Sequence, residues 1–203
     1  MKNLTAEEFT AALAAKEPVP GGGGAAALCG ALSAALGSMV INYTLGKKKY
    51  AEYEAELSAL LDECGSLRIR FLELIDEDAE AFEPLSRAYG IPKDDPEREE
   101  RLELCLNNAA RAPLEMARLA ARTAEISALL CEKGSTLMIS DAGCAAALAK
   151  AAAECAALNV KVNTRLMKNR ETAVALNAEI ESILEKASAE AESVLLSVSE
   201  RLG

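Results

Sequence analysis

Asp78 stands where a charge is out of place. The apolar positions 57, 60, 61, 64, 67, 71, 74, 75, 82 and 85 recur three and four residues apart, which marks one face of an α-helix. At about 100° per residue, Asp78 falls about 40° from Phe82 and about 60° from Ile75, inside that stripe. Asp76, Glu77 and Glu80 project at least about 100° from Ile75 on the other side and read as a solvated face. A carboxylate among apolar side chains is costly unless it is paired or hydrogen-bonded. Its pKa is perturbed, as in many acids and bases that do chemistry. A buried structural ion pair would satisfy the same pattern.

Five further groups can carry chemistry. Gly21, Gly22, Gly23 and Gly24 let a backbone approach a ligand, and a helix starting near Gly24 offers free N–H groups with a positive dipole end. The run could equally be a connector. It matches G-x-G-x-x-A at Gly21, Gly23 and Ala26, but two prolines precede it where a dinucleotide site needs a strand. Ser140 and Asp141 suit a helix N-cap or a polar site. Asn159 and Asn163 lie four apart on one small-residue face, where amides either read a heterocycle or bond a neighbouring helix. Lys47, Lys48 and Lys49 form a basic cluster at a helix end; Lys161, Arg165 and Lys168 form another. Either binds an anion or simply faces water.

The elements that position these groups are helices. Alanine is abundant and aromatic residues make up 3%, which favours helix over sheet. Thr5 and Glu8 form a capping-box pattern for a helix to about Lys16. Pro18 to Gly24 interrupts regular structure, and a helix follows from about Gly24 to Leu45, closed by Gly46. Long helices are expected over about Tyr50–Tyr89 and from Asp95-Pro96 to Glu132, the latter kinked near Pro113. Two more run from Ser140-Asp141 to Met167 and from Glu171 to Arg201. The reading is all-α: one domain over residues 1–203, a bundle of about six helices, several of them long. Ala25 to Gly46 has no charge, but Ser33, Gly37, Ser38, Asn42 and Thr44 interrupt it, so a buried helix accounts for it better than a membrane span. Small-residue helices bury little area each, so the chain is expected to complete its burial as a homodimer.

Composition narrows the partners. Lys and Arg number 22 against 32 Asp and Glu, a net charge of −10, which disfavours nucleic acid and anionic membranes. Histidine is absent, so a general base must be a carboxylate, Lys, Cys or Tyr. The six cysteines have no C-x-x-C spacing and no histidine to complete a zinc site, so no metal is expected. Free thiols and an N-terminus without a signal-peptide core imply a cytoplasmic location.

Taken together, the segments Val19-Pro-Gly-Gly-Gly-Gly-Ala-Ala-Ala27, Leu45-Gly-Lys-Lys-Lys-Tyr50, Leu74-Ile-Asp-Glu-Asp-Ala-Glu-Ala-Phe82, Ser140-Asp-Ala-Gly-Cys-Ala-Ala146 and Ala157-Leu-Asn-Val-Lys-Val-Asn163 resemble the cyclodeaminase/cyclohydrolase family of folate enzymes. Their order and spacing match the family from about residue 5 to 170. One position departs: Gly24 stands where the family usually has Ser, which removes any hydroxyl contact there.

The resemblance implies an all-α homodimer with folate in a groove near the subunit interface. The implied reaction is hydrolysis of 5,10-methenyltetrahydrofolate to 10-formyltetrahydrofolate. The alternatives are a formiminotetrahydrofolate cyclodeaminase or a non-catalytic folate-binding scaffold. The tetrahydrofolate derivative is the substrate, and no cofactor is required. Asp78 and Asp141 are then the catalytic carboxylates. Gly21 to Gly24, Phe82, Ser140, Asn159 and Asn163 bind the substrate, and Lys47 to Lys49 meet its glutamate tail.

Overall fold

The structure is a computed structural model that describes residues 1–203. It has six α-helices and no strand: α1 (Ala6–Ala14), α2 (Gly22–Asn42), α3 (Glu54–Tyr89), α4 (Arg98–Lys133), α5 (Ile139–Thr164) and α6 (Arg170–Leu202). Short 3-10 turns at Lys48–Tyr53 and Thr136–Met138 lead into α3 and α5. The expected capping box holds α1: the Glu8 N–H donates to Thr5 Oγ1 at 3.2 Å and the Thr5 N–H to Glu8 Oε2 at 2.8 Å.

α2 and α5 form the centre and run antiparallel. Gly22 lies beside Asn159, while the Ser33 hydroxyl donates to the Ala145 carbonyl at 2.6 Å. The contact faces are small: Ala26, Ala27 and Ala34 on α2, and Ala149, Ala152 and Ala156 on α5, all fully buried. Small side chains let the backbones approach, and α3, α4 and α6 supply the bulk around them. Phe71 of α3 packs against Gly30 of α2, so closely that a methyl group there would overlap the ring. These two helices are also the ones long and apolar enough to cross a membrane, and about half of each is covered by the rest of the bundle.

Three expected boundaries shift, each for a local reason. α2 starts at Gly22, so three of the four glycines are helical rather than part of the connector. Asp95 does not cap α4; its carboxylate accepts the Glu97 N–H at 2.8 Å in a turn, and the helix begins at Arg98. Ser140 and Asp141 do not cap α5 either. The turn ending at Met138 feeds directly into the helix, so both sit in its first turn, where a carboxylate still favours the positive end. α4 runs continuously through Pro113.

Gly30→Ala tests the central packing. Overlap with a buried ring costs about 1–3 kcal/mol, so the unfolding free energy should fall by that amount, seen as a lower urea midpoint at unchanged denaturant slope. A loss below ~0.5 kcal/mol would contradict the close α2–α3 approach.

Candidate active site

A cavity of about 210 Å³ opens where the N-terminus of α2 meets the middle of α3 and α4 and the last turns of α5. Asp78, Phe82, Gly21 to Gly23, Asn159 and Asn163 all line it. The apolar stripe of α3 carries Asp78 there, as its place between Ile75 and Phe82 requires. Asp76 and Glu77 take the solvated side, with Asp76 paired to the N-terminal amine and Glu77 to Arg70.

Asp78 has no hydrogen-bond or ion-pair partner within the chain, and no lysine or arginine lines the cavity. Burial pushes its carboxyl up to about 6 from an ordinary 3.8. No ion pair within the chain therefore satisfies it.

The glycines have separate duties. Gly22, Gly23 and Gly24 are the first three helical residues, so their N–H groups have no intrahelical acceptor. A methyl on Gly23 would overlap the Asp78 carboxyl group, so the carboxylate rests on bare backbone at the positive end of α2. A methyl on Gly22 would come 3.1 Å from Asn159 Nδ2. Gly24 is different. It is buried, and a side chain there would point to Pro20 at 3.2 Å, Phe9 at 3.7 Å and Ile75 at 3.9 Å. The expected loss of a ligand contact at Gly24 is thus corrected: its Cβ direction leads into apolar packing, away from the cavity.

The two amides are held by the backbone. Asn159 Nδ2 donates to the Cys155 carbonyl at 2.8 Å. Asn163 Nδ2 donates to the Asn159 carbonyl at 2.9 Å and to the Ala109 carbonyl at 3.2 Å. Ala109 precedes Pro113 by four residues, so its carbonyl is the one that proline deprives of a helical donor. Asn163 supplies the missing bond and ties α5 to α4 at the cavity wall. Each amide keeps its Oδ1 free of partners within the chain. Sequence reasoning read Pro113 only as a kink and missed Ala109, Val162, Pro18 and Val19. The signal available for Ala109 was its position four residues before a mid-helix proline.

The structure does not bring the remaining site residues to this cavity within one chain. Lys47, Lys48 and Lys49 follow the C-terminus of α2, about 30 Å along that helix from Gly22. Ser140 and Asp141 lie about 27 Å along α5 from Asn159. The antiparallel pairing sends both groups to the opposite end. There Lys47 Nζ donates to Ser135 Oγ at 3.2 Å and the Ser135 N–H to Thr44 Oγ1 at 2.8 Å. The Thr136 N–H donates to the Tyr50 hydroxyl at 3.1 Å, which brings that phenol down to about 8. Asp141 is therefore not a second carboxylate for Asp78 of the same chain. In the other basic cluster, Lys161 pairs with Glu181 and Lys168 with Glu99.

The chain is similar to known proteins over almost its whole length. The formiminotransferase-cyclodeaminase family model matches residues 5–182. A methenyltetrahydrofolate cyclohydrolase of Methylorubrum extorquens is 41% identical over 191 residues, covering 92% of both chains. The formimidoyltransferase-cyclodeaminase of Mus musculus is 29% identical over 197 residues, which are 95% of this chain and 36% of that protein. Among solved structures, the formiminotetrahydrofolate cyclodeaminase of Thermotoga maritima superposes with a TM-score of 0.85 at 29% identity, covering 99% of this chain and 96% of that one.

The raised carboxyl has a sign that stability reveals. Below about pH 4 Asp78 is neutral in both folded and unfolded chains. Between about pH 4 and 6 the unfolded chain ionises first and stability is lost; above about 6 the loss is complete. At about 1.4 kcal/mol per pKa unit, the loss is on the order of 2–3 kcal/mol. Asp78→Asn should therefore be more stable than the parent at pH 8 by about that amount, and the difference should shrink toward zero at pH 4. Denaturant melts at the two pH values check this, and a pH-independent difference would refute it.

Proposed function

Because this chain belongs to the formiminotransferase-cyclodeaminase family, we propose that it is a methenyltetrahydrofolate cyclohydrolase of one-carbon metabolism. It hydrolyses 5,10-methenyltetrahydrofolate to 10-formyltetrahydrofolate. The observation that carries this reading is the lone Asp78 carboxylate in a cavity lined by no cationic side chain.

The substrate is a delocalised cation. An uncompensated carboxylate attracts it, and the low polarity that burdens Asp78 strengthens that attraction. Water adds to the bridging carbon and Asp78 takes its proton. The carbon–N5 bond then breaks, N5 receives the proton from Asp78, and the hydroxyl of the adduct loses its own proton as the formyl carbonyl forms. One water is consumed and one proton released, with no change of oxidation state, so neither a redox cofactor nor a metal is required. The free N–H groups of α2 face developing negative charge on the adduct oxygen. Asn159 and Asn163 offer Oδ1 acceptors to the N–H groups of the pterin, and Phe82 forms an apolar wall.

Cyclodeamination is the second reading, favoured by the likeness to the Thermotoga maritima protein. A formimino substrate needs an acid to expel ammonia, and a carboxyl near 6 is still partly protonated at neutral pH.

The functional unit in this reading is a homodimer in the reducing cytosol. Leu32 on α2, Tyr43 just past its end, and Leu158 and Val162 on α5 are exposed, on the face of the two central helices that no other element fully covers. Val162 also lines the cavity, so a second copy on this face would border the substrate. All six cysteines are free thiols, as a reducing compartment keeps them.

Loss of near-UV absorbance of methenyltetrahydrofolate measures the reaction. Asp78→Asn should slow it by at least ~10²-fold, and kcat/KM of the parent should rise through about pH 6 and level above as Asp78 ionises. A folded Asp78→Asn protein with a near-normal rate would eliminate the role. Faster turnover of the formimino compound would select the second reading. Sedimentation at micromolar concentration should give a dimer, and Leu158→Asp should shift it toward monomer; a monomeric parent would refute the interface.

A further inference from the structure

A second cavity, of about 240 Å³, lies between the end of α3, the start of α4 and the α5–α6 junction. Its wall continues that of the first. On α3, Tyr89 follows Phe82 by two turns, about 10 Å on the same face. On α4, Leu106 precedes Pro113 by the same step. Phe82 of the first lining and Leu106 of the second belong to one apolar cluster, so the two cavities are neighbours along the α3–α4 face. The floor is apolar, with Leu102, Leu106 and Leu166, and Tyr89 is exposed at its edge.

The polar groups differ from those around Asp78. Arg98 is half-buried, and its Nε donates to the Ile91 carbonyl at 2.9 Å. That bond fixes the guanidinium, while both terminal nitrogens keep no carboxylate partner within the chain. Lys168 stands opposite. The two acids at the rim are already engaged: Glu103 accepts the Lys168 and Asn169 N–H groups at 2.7 and 3.1 Å, and Glu99 pairs with Lys168.

We propose that this cavity binds the aminobenzoyl-glutamate arm of the folate whose one-carbon bridge lies beside Asp78, with Arg98 clamping a glutamate carboxylate. The proposal rests on the folate reading above. It moves the tail from Lys47–Lys49, at the far end of the bundle, to a place that adjoins the site. The apolar floor takes the benzoyl ring, and two helical turns match the reach of that ring and its amide. A planar guanidinium with two free nitrogens suits a carboxylate bidentately.

The test compares Arg98→Gln with the parent on two substrates: the methenyl compound with one glutamate and its pteroate analogue without glutamate. The expected result is a KM raised by ~10-fold or more for the glutamate form, kcat within about twofold, and no change for the pteroate. Lys168→Gln, on a different element and paired only at the surface, should raise the same KM by a smaller factor. An unchanged KM, or equal rises on both substrates, overturns the tail assignment and leaves the role of Asp78 standing. Should the parent turn over neither substrate, the cyclohydrolase reading fails, and calorimetry with N-(4-aminobenzoyl)-L-glutamate still decides the cavity. Binding weakened ~10-fold or more by Arg98→Gln supports it; equal or undetectable binding overturns it.

Discussion

The contact between the Asp78 carboxyl group and the bare backbone of Gly23 organises this protein. It requires that α2 begin with residues lacking side chains, that α3 run past that beginning with its apolar stripe inward, and that α5 end alongside. Any side chain at position 23 would displace the carboxylate. The small-residue pairing of α2 with α5 sets the depth at which the three helices meet. The bond from Asn163 to the carbonyl freed by Pro113 locks α4 and α5 where the cavity opens.

Elsewhere the chain treats its charges conventionally. Arg70 bridges Glu77 and Glu115, and Arg122 bridges Glu63 and Glu125, both on the partly exposed outer sides of α3 and α4. These contacts hold both guanidinium groups charged, and cationic partners lower the carboxyls of Glu63, Glu115 and Glu125. Asp78 instead sits half-buried in its cavity with no cation and no hydrogen-bond donor from the chain, although arginines and lysines are plentiful. The helix dipole of α2 offsets part of the burial cost but leaves the charge unneutralised. A site in that condition prefers a cationic ligand, and an amidinium-like bridge is one. The stability forgone at Asp78 is of the kind found where binding and catalysis need a strained group.

Much of this was legible in the residues. The three- and four-residue spacing of α3 put Asp78 among apolar neighbours before any coordinates did, and capping and breaker residues located six helices within a few positions. What spacing along the chain cannot express is which end of a helix lies beside which. The motifs around Lys47–Lys49 and Ser140-Asp141 read as one constellation with Gly21–Gly24 and Asp78; the antiparallel course of α2 and α5 separates them by the length of the bundle. The duties of the individual glycines were equally hidden, because the direction of an absent Cβ depends on the packing around it. Gly24 was weighed as a missing ligand group and proves to face Pro20 and Phe9. The link between Pro113 and Asn163 is intermediate: the freed carbonyl can be counted from sequence, but not the side chain that satisfies it.

The central claim is that Asp78 is held half-buried and without a cationic partner in the cavity. Carbon-13 labelling of aspartate side chains, with Asp78→Asn to assign the resonance, reads its ionisation directly. The account predicts a midpoint near 6 in the free protein, falling when the methenyl cation binds beside it. A midpoint near the ordinary 3.8, unmoved by that cation, would contradict it.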